Sequence, residues 1–323
     1  MDGLLFYEKS KETNLAQPVL IDTDPGIDDA MAILLALRSP ELEVRALTTV
    51  HGNADVFQTA RNARQILELA ERSDIPVAMG AAQPLVRPFA GVVDYVHGAN
   101  GLGNVSLPAP KMPLVNMPAA CFIVEQVMAA PGELTILTLG PLTNLALALH
   151  LKPEIAHLVR GVVLMGGAAF CEGNVSPVAE ANIYHDPEAA RMVFEAPWPL
   201  TMVGLDVTKK VVMDKPYLAE LQRAGNRFTQ FIASITPCYI AYHNERYHLD
   251  GFHVHDPSAV AYLIRPELFR IQEYYVQVET QGSCQGYTVV DRLGQYGQKP
   301  NVKVCVDVDA EGILALYKQR LTS

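Results

Sequence analysis

The feature that most constrains this chain is a recurrent alternation of short apolar, β-branched runs with helical patterns. "PVLIDT" precedes "DDAMAILLALRS", "EVRALTTV" precedes "ADVFQTARNARQILELAERS", and "ELTILTLG" precedes "PLTNLALALHL". "GVVLMGG" is followed, after a polar loop, by "DPEAARMVFE". Alternation of this kind reads as βα units around a mostly parallel sheet. The expected fold is therefore α/β: a mostly parallel open sheet flanked by helices, Rossmann-like, with loop insertions. "GYTVVD" and "NVKVCVDVDAEGILALYKQRL" predict a small C-terminal extension of strands and a final helix. No repeat or composition shift marks a linker, so one domain is expected over residues 1–323, with residues 1–17 as a flexible N-terminal extension. In open sheets of this type ligands bind beyond the carboxyl ends of the strands. "DTDPG", "HGN", "LGPLTN" and "MGG" all fall there, and residues 83–110 and 166–186 read as long functional loops.

Charge and composition narrow the class of partner. Half of the 323 residues are apolar, enough to fill a sizeable core, and the formal charge of −10 argues against binding a polyanion. Nucleic acid is an unexpected partner. The five cysteines include no C-x-x-C pair, which suggests neither a disulfide framework nor a zinc knuckle and fits a reducing compartment. "MDGLLFYEKSKETNLAQ" is unlike a signal peptide, and no apolar run reaches the roughly 18 residues of a membrane span. The expected location is the cytoplasm, with no membrane partner.

The acidic stretch "IDTDPGIDDA" carries the chemistry. Asp28 and Asp29 open a helix, where the helix dipole favours acidic residues by ~0.3–1 kcal/mol. That does not account for Asp24, which stands at the strand end beside them, where several carboxylates repel one another unless a hard divalent cation sits among them. An EF-hand loop is excluded, because counting from Asp22 places Gly26 fifth and Ile33 twelfth. A phosphotransferase of the haloacid dehalogenase type, with Asp22 as nucleophile, fits poorly. Pro25-Gly26-Ile27 follows the aspartates, and no lysine stands between Lys11 and Lys111.

"DTDPGIDDA" resembles the amino-terminal signature of the inosine–uridine nucleoside N-ribohydrolases. The similarity continues in order through "TTVHGN", "VHGANGLG", "LGPLTNLA", "MGG", "GNVSPVAEANIYHDPEAA", "VHDPSAV" and "TVVDRLG", over nearly the whole chain. What the resemblance implies is hydrolysis of the bond between ribose and a nucleobase, in nucleoside salvage, by a homodimer or homotetramer that binds one Ca2+. Carried over by position, Asp24, Asp29 and Asp256 match the calcium carboxylates, with the backbone carbonyl of Leu139 as a further ligand. Asp24 also matches the base that deprotonates the attacking water. Asp28, Asn182 and Asn53 match the groups around the 2′- and 3′-hydroxyls, and Asn174 and Glu180 those at the 5′-hydroxyl. Tyr239, His243 and Tyr247 match base contacts, His97 belongs to a loop that closes over the site, and His255 is the candidate proton donor to the leaving base. Ala181 departs from the aromatic residue that many relatives carry.

Each of these residues also has a plain structural reading. Asn53 and Asn174, each after a glycine, suit turns or helix caps. Glu180 and Asn182 would share one face of an extended segment. Asp256 before Pro257 resembles an N-cap with proline at the first helical position. Tyr239, His243 and Tyr247 recur every four residues and would make a core stripe on one helical face. Two rival functions remain at this level: the phosphatase, and a catalytically silent, calcium-dependent nucleoside-binding protein.

Overall fold

The computed structural model describes residues 16–323. Residues 1–15 of the expected extension lie outside the described residues, and Gln17 already opens the first strand, β1 (Gln17–Thr23). Within β1, Val19, Leu20 and Ile21 are fully buried and alternate between two cores: Val19 and Ile21 point into one, Leu20 into the other. A strand buried on both faces needs helices on both faces, and the sheet has them.

The further strands are β2 (Leu42–Thr49), β3 (Val77–Met79), β4 (Thr135–Thr138), β5 (Gly161–Met165), β6 (Leu200–Val203), β7 (Val212–Asp214), β8 (Gly251–His253), β9 (Phe269–Val278), β10 (Thr288–Asp291) and β11 (Val302–Val308). Among the described residues, nine of them form one sheet in the order β10-β9-β11-β6-β5-β4-β1-β2-β3, while β7 and β8 pair separately. The run from β3 to β11 is parallel, and β9 is antiparallel to both β11 and β10. The mostly parallel, Rossmann-like α/β fold expected from the alternation is thus present. Its order reverses at β1, whose neighbours are β2 and β4, so the connections leaving these strands diverge and open a crevice at their carboxyl ends.

Helix Ile27–Leu37 follows directly from β1. Every residue from Ile27 to Ala36 is buried, as a helix apolar on nearly all sides must be. It lies between the sheet and helices Asp256–Ile264, Arg227–Tyr247 and Ala310–Thr322. Burying each of Ile33, Leu34 and Leu35 contributes about 1.5–3 kcal/mol. That holds the first helical turn, with Asp28 and Asp29, against the crevice. The two long loops end there as well, one through the short helix Asp94–His97 and the other through the short helix Ala181–His185. No helix among the described residues is long and apolar enough to cross a membrane.

Candidate active site at the reversal of the sheet

Asp24 is the first residue after β1, and its carboxylate is clasped between two glycines. A Cβ on Gly52 would stand 1.9 Å from Asp24 Oδ2, and one on Gly140 would stand 2.6 Å from Oδ1. Only glycine admits the carboxylate at either place. The Asn53 backbone N–H donates to Oδ2 at 2.7 Å, whereas Oδ1 is buried without a hydrogen-bond partner.

Asp29 is the opposite case. Its Oδ1 accepts from the Thr23 hydroxyl and from Asp24 N–H, and its Oδ2 from Gly26 N–H at 2.9 Å and Asn53 Nδ2 at 3.0 Å. Asp28 accepts from the Tyr239 hydroxyl at 3.3 Å, while its Oδ1 is a second buried orphan, with His97 Nδ1 3.9 Å away. Asp256 arrives from far along the chain as the first residue of helix Asp256–Ile264, so His255, and not Asp256, holds the N-cap position. The local sequence suggested a cap one residue later because Pro257 suits either of the first two helical positions. One carboxylate oxygen each from Asp28, Asp29 and Asp256 lies within 4.8 Å of the others.

The electrostatic consequence is severe. Burial, then repulsion from Asp29, pushes the Asp24 pKa well above the usual carboxylate range; Asp256 is pushed up likewise by burial and by Asp28, Asp29, Asp24 and Glu180. Buried carboxylates with no compensating cation must take up protons. Two orphaned oxygens, a glycine cradle and an all-oxygen donor set together fit a hard divalent cation.

The residues that the resemblance assigns to the sugar stand beside this floor. Leu139 follows β4 and lines the cavity, and its carbonyl accepts from Asn182 Nδ2 at 2.8 Å. Glu180 and Asn182 lie on no extended segment. Glu180 is the N-cap of helix Ala181–His185, accepting from the backbone N–H of Asn182, Ile183 and Gly167, and Asn182 is that helix's second residue. Asn174 braces the same turn by accepting from Ala181 N–H at 3.0 Å. Asn53 is not the helix cap either; Asp55 fills that role for helix Val56–Leu69.

Across the cavity stands a wall of rings. Tyr239, His243 and Tyr247 follow one face of helix Arg227–Tyr247, with centroids 4.4 and 5.5 Å apart, and His97 stacks on Tyr239 at 5.5 Å. Burial pushes the His97 imidazole down to about 4 and His243 to about 3. His255 sits at the junction of floor and wall, its Nδ1 2.8 Å from the Thr208 hydroxyl. Burial and the neighbouring His253, His243 and Lys209 push its pKa well below the usual imidazole value.

Asp28, Asn53, His97, Leu139, Asn174, Glu180, Asn182, Tyr239, His243, Tyr247, His255 and Asp256 therefore line one cavity. Asp24 and Asp29 lie behind Asn53, which hydrogen-bonds both. Sequence reasoning missed Tyr95 and Tyr242, whose rings meet at 5.9 Å in the cavity wall, and Thr208, which orients His255. Tyr95 stands two residues before His97 and Tyr242 immediately before His243, so proximity to named residues was the available signal. Asp22 does not line the cavity. It is fully buried toward the other core, accepting from Thr48 and Asn144, so the phosphatase reading has no nucleophile here.

The family model of the inosine-uridine preferring nucleoside hydrolases matches residues 19–315. The chain belongs to that family. The hydrolase is 43% identical over 312 residues to uridine nucleosidase 1 of Arabidopsis thaliana, covering 94% of this chain and 93% of that one. It is 43% identical over 309 residues to the pyrimidine-specific ribonucleoside hydrolase RihA of Salmonella arizonae, covering 95% and 99%. It superposes on the solved structure of a plant nucleoside hydrolase, PpNRh1, with a TM-score of 0.93 at 39% identity, covering 95% and 99%. Its class of chemistry is that of an N-glycosyl hydrolase.

Proposed function

We propose that the hydrolase splits pyrimidine ribonucleosides into free base and ribose, with a Ca2+ ion held by Asp24, Asp29, Asp256 and the Leu139 carbonyl. The observation that carries this reading is the buried carboxylate floor, with an orphaned oxygen on Asp28 facing the wall of rings and a second on Asp24 directly behind it. When bound, a hard divalent cation neutralises such carboxylates and acidifies water held beside them. Asp29 has both oxygens fully engaged, so it joins such a set by releasing the Asn53 side-chain amide. That amide is then free for a sugar hydroxyl.

Asp24 takes the proton of the attacking water on Oδ1, the oxygen without another partner. Asp28 and Asn182 receive the 2′- and 3′-hydroxyls, and Asn174 and Glu180 the 5′ end. As the glycosidic bond breaks, positive charge grows on the ribosyl ring, and the surrounding carboxylates stabilise it more than they stabilise the neutral substrate. The ring wall receives the base. His255, neutral at working pH, serves the departing base as a hydrogen-bond donor through Nε2, while the Thr208 hydroxyl holds Nδ1. The pyrimidine preference rests on the likeness to the uridine and pyrimidine-specific relatives. Release of free base and ribose suits nucleoside salvage.

The test is incubation of purified protein with uridine, inosine, 2′-deoxyuridine and p-nitrophenyl phosphate, before and after exhaustive chelation. Expected are free ribose, faster turnover of uridine than of inosine, and a loss of about 10²-fold or more for 2′-deoxyuridine, which leaves buried polar groups unpaired. Calcium should restore the chelated enzyme. Full turnover in protein shown to be metal-free would overturn the calcium assignment, and saturable uridine binding without product would overturn the hydrolysis.

A further inference from the structure

His253, Val254 and His255 form an H-x-H step at the end of β8, and His243 faces them from helix Arg227–Tyr247. β8 ends at His253 and His255 holds the N-cap of the next helix, and both imidazoles come to the third, with the His243 and His255 ring centroids 6.4 Å apart. One ring nitrogen from each of the three lies within 4.8 Å of the other two. Ring centroids are 5.3 Å apart for His243 and His253, and 5.9 Å for His253 and His255. The proposed calcium site uses none of the three.

We propose that His243, His253 and His255 form a second cation site, selective for a borderline transition metal such as Zn2+, whose occupation shuts the enzyme off. Metal-binding histidines characteristically engage their other ring nitrogen with a carbonyl or hydroxyl, which fixes the tautomer. His243 Nδ1 donates to the Tyr239 carbonyl at 2.9 Å, leaving the Nε2 lone pair free. His255 Nδ1 is 2.8 Å from the Thr208 hydroxyl, which accepts as readily as it donates, and with Nδ1 donating, Nε2 is again free. His253 Nδ1 is buried without a hydrogen-bond partner. Burial keeps the imidazoles of His243 and His253 neutral, with values pushed down to about 3 and about 4, so a metal need displace no proton from either.

The donor set decides the class of metal. Three imidazole nitrogens and no oxygen suit zinc, nickel or copper and are poor for calcium or magnesium. The neighbouring Lys209, whose ammonium is held by the carbonyls of Glu172 and Gly173, adds a positive charge that disfavours a hard ion held by charge alone. Coordination through His255 Nε2 removes the donor assigned above to the departing base, and this inhibitory consequence rests on that assignment. The binding itself does not.

Calcium-loaded protein should be titrated with Co2+ and then Zn2+ in excess Ca2+. Wild type is expected to bind one equivalent of cobalt with the intense visible absorption of a four-coordinate site, to lose that band to zinc, and to lose uridine turnover at the same stoichiometry. His253→Ala and His253→Gln alter a residue outside the cavity lining. Both should keep calcium content and turnover while the zinc concentration for half-inhibition rises at least tenfold. No cobalt band in wild type, or zinc affinity unchanged in both variants, would overturn the site. A cobalt band dependent on His253 without inhibition would keep the site and overturn only its link to His255.

Discussion

The floor and the wall of the cavity hold their reactive groups by opposite means. On the floor, Asp29 is fixed by hydrogen bonds to both oxygens and Asp24 by two glycines, so each carboxylate has one available geometry. On the wall, Tyr239, His243 and Tyr247 are held by ring packing along a helix, with few polar contacts. Charged groups cannot be buried without directed partners, whereas neutral rings can. The difference teaches what each side can read. The floor suits the invariant ribose and the charge that develops on it, and the wall suits a planar base whose identity can vary.

Substitutions can break this division. Asp24→Asn keeps the shape of the floor but removes the proton acceptor, and kcat should fall about 10⁴-fold on uridine and p-nitrophenyl riboside alike. A substrate-dependent loss would mean that the floor also reads the leaving group. His255→Ala should cost about 10²–10⁴-fold on uridine yet largely spare p-nitrophenyl riboside, whose phenolate departs unaided. Equal losses on both, with calcium content intact, would move His255 from leaving-group assistance to positioning. Gly52→Ala forces a Cβ against the Asp24 carboxylate, and a displacement of about 1 Å there should lower kcat about 10²-fold while KM changes little. Unchanged kcat would show that the cradle is not what places Asp24. Smallest is Tyr242→Ala, which should raise KM by about tenfold to differing degrees for uridine and inosine, with kcat nearly intact, because one aromatic contact contributes about 0.5–1.5 kcal/mol. A uniform fall in kcat would erase the distinction between the two sides.

Legibility in the sequence follows the same line. The floor is written locally, since Asp24, Asp28 and Asp29 fall within six residues and their crowding is itself the anomaly. Strands β1, β4 and β5 were legible because burial on both faces leaves continuous apolar runs, and β2 because exposed Glu43 and Arg45 alternate with buried residues before a fully buried stretch. β3 and β6 are only three and four residues long, and β9, "FRIQEYYVQV", mixes polar residues into a strand that is partly exposed. None of these strands has a pattern strong enough to stand out. Most of the wall depends on tertiary contact: Tyr95 reaches Tyr242 across nearly half the chain, and Thr208 reaches His255 from the end of the short helix Leu205–Thr208. The roles of Glu180 as cap and Asp256 as first helical residue turn on a one-residue difference in where a helix begins, which composition does not fix.

Helix Ile27–Leu37, buried from Ile27 to Ala36, leaves the ribosome well before the helices that cover it. Its partners include Asp256–Ile264 and Ala310–Thr322, more than 200 residues further along, so until they emerge the face that meets them, one of the most apolar surfaces of the chain, has nothing to rest on. Domains that complete their core late expose such surfaces to aggregation and to chaperones in the interval. The same delay keeps the nascent chain inert, because Asp24 cannot meet Asp256 until that helix has docked.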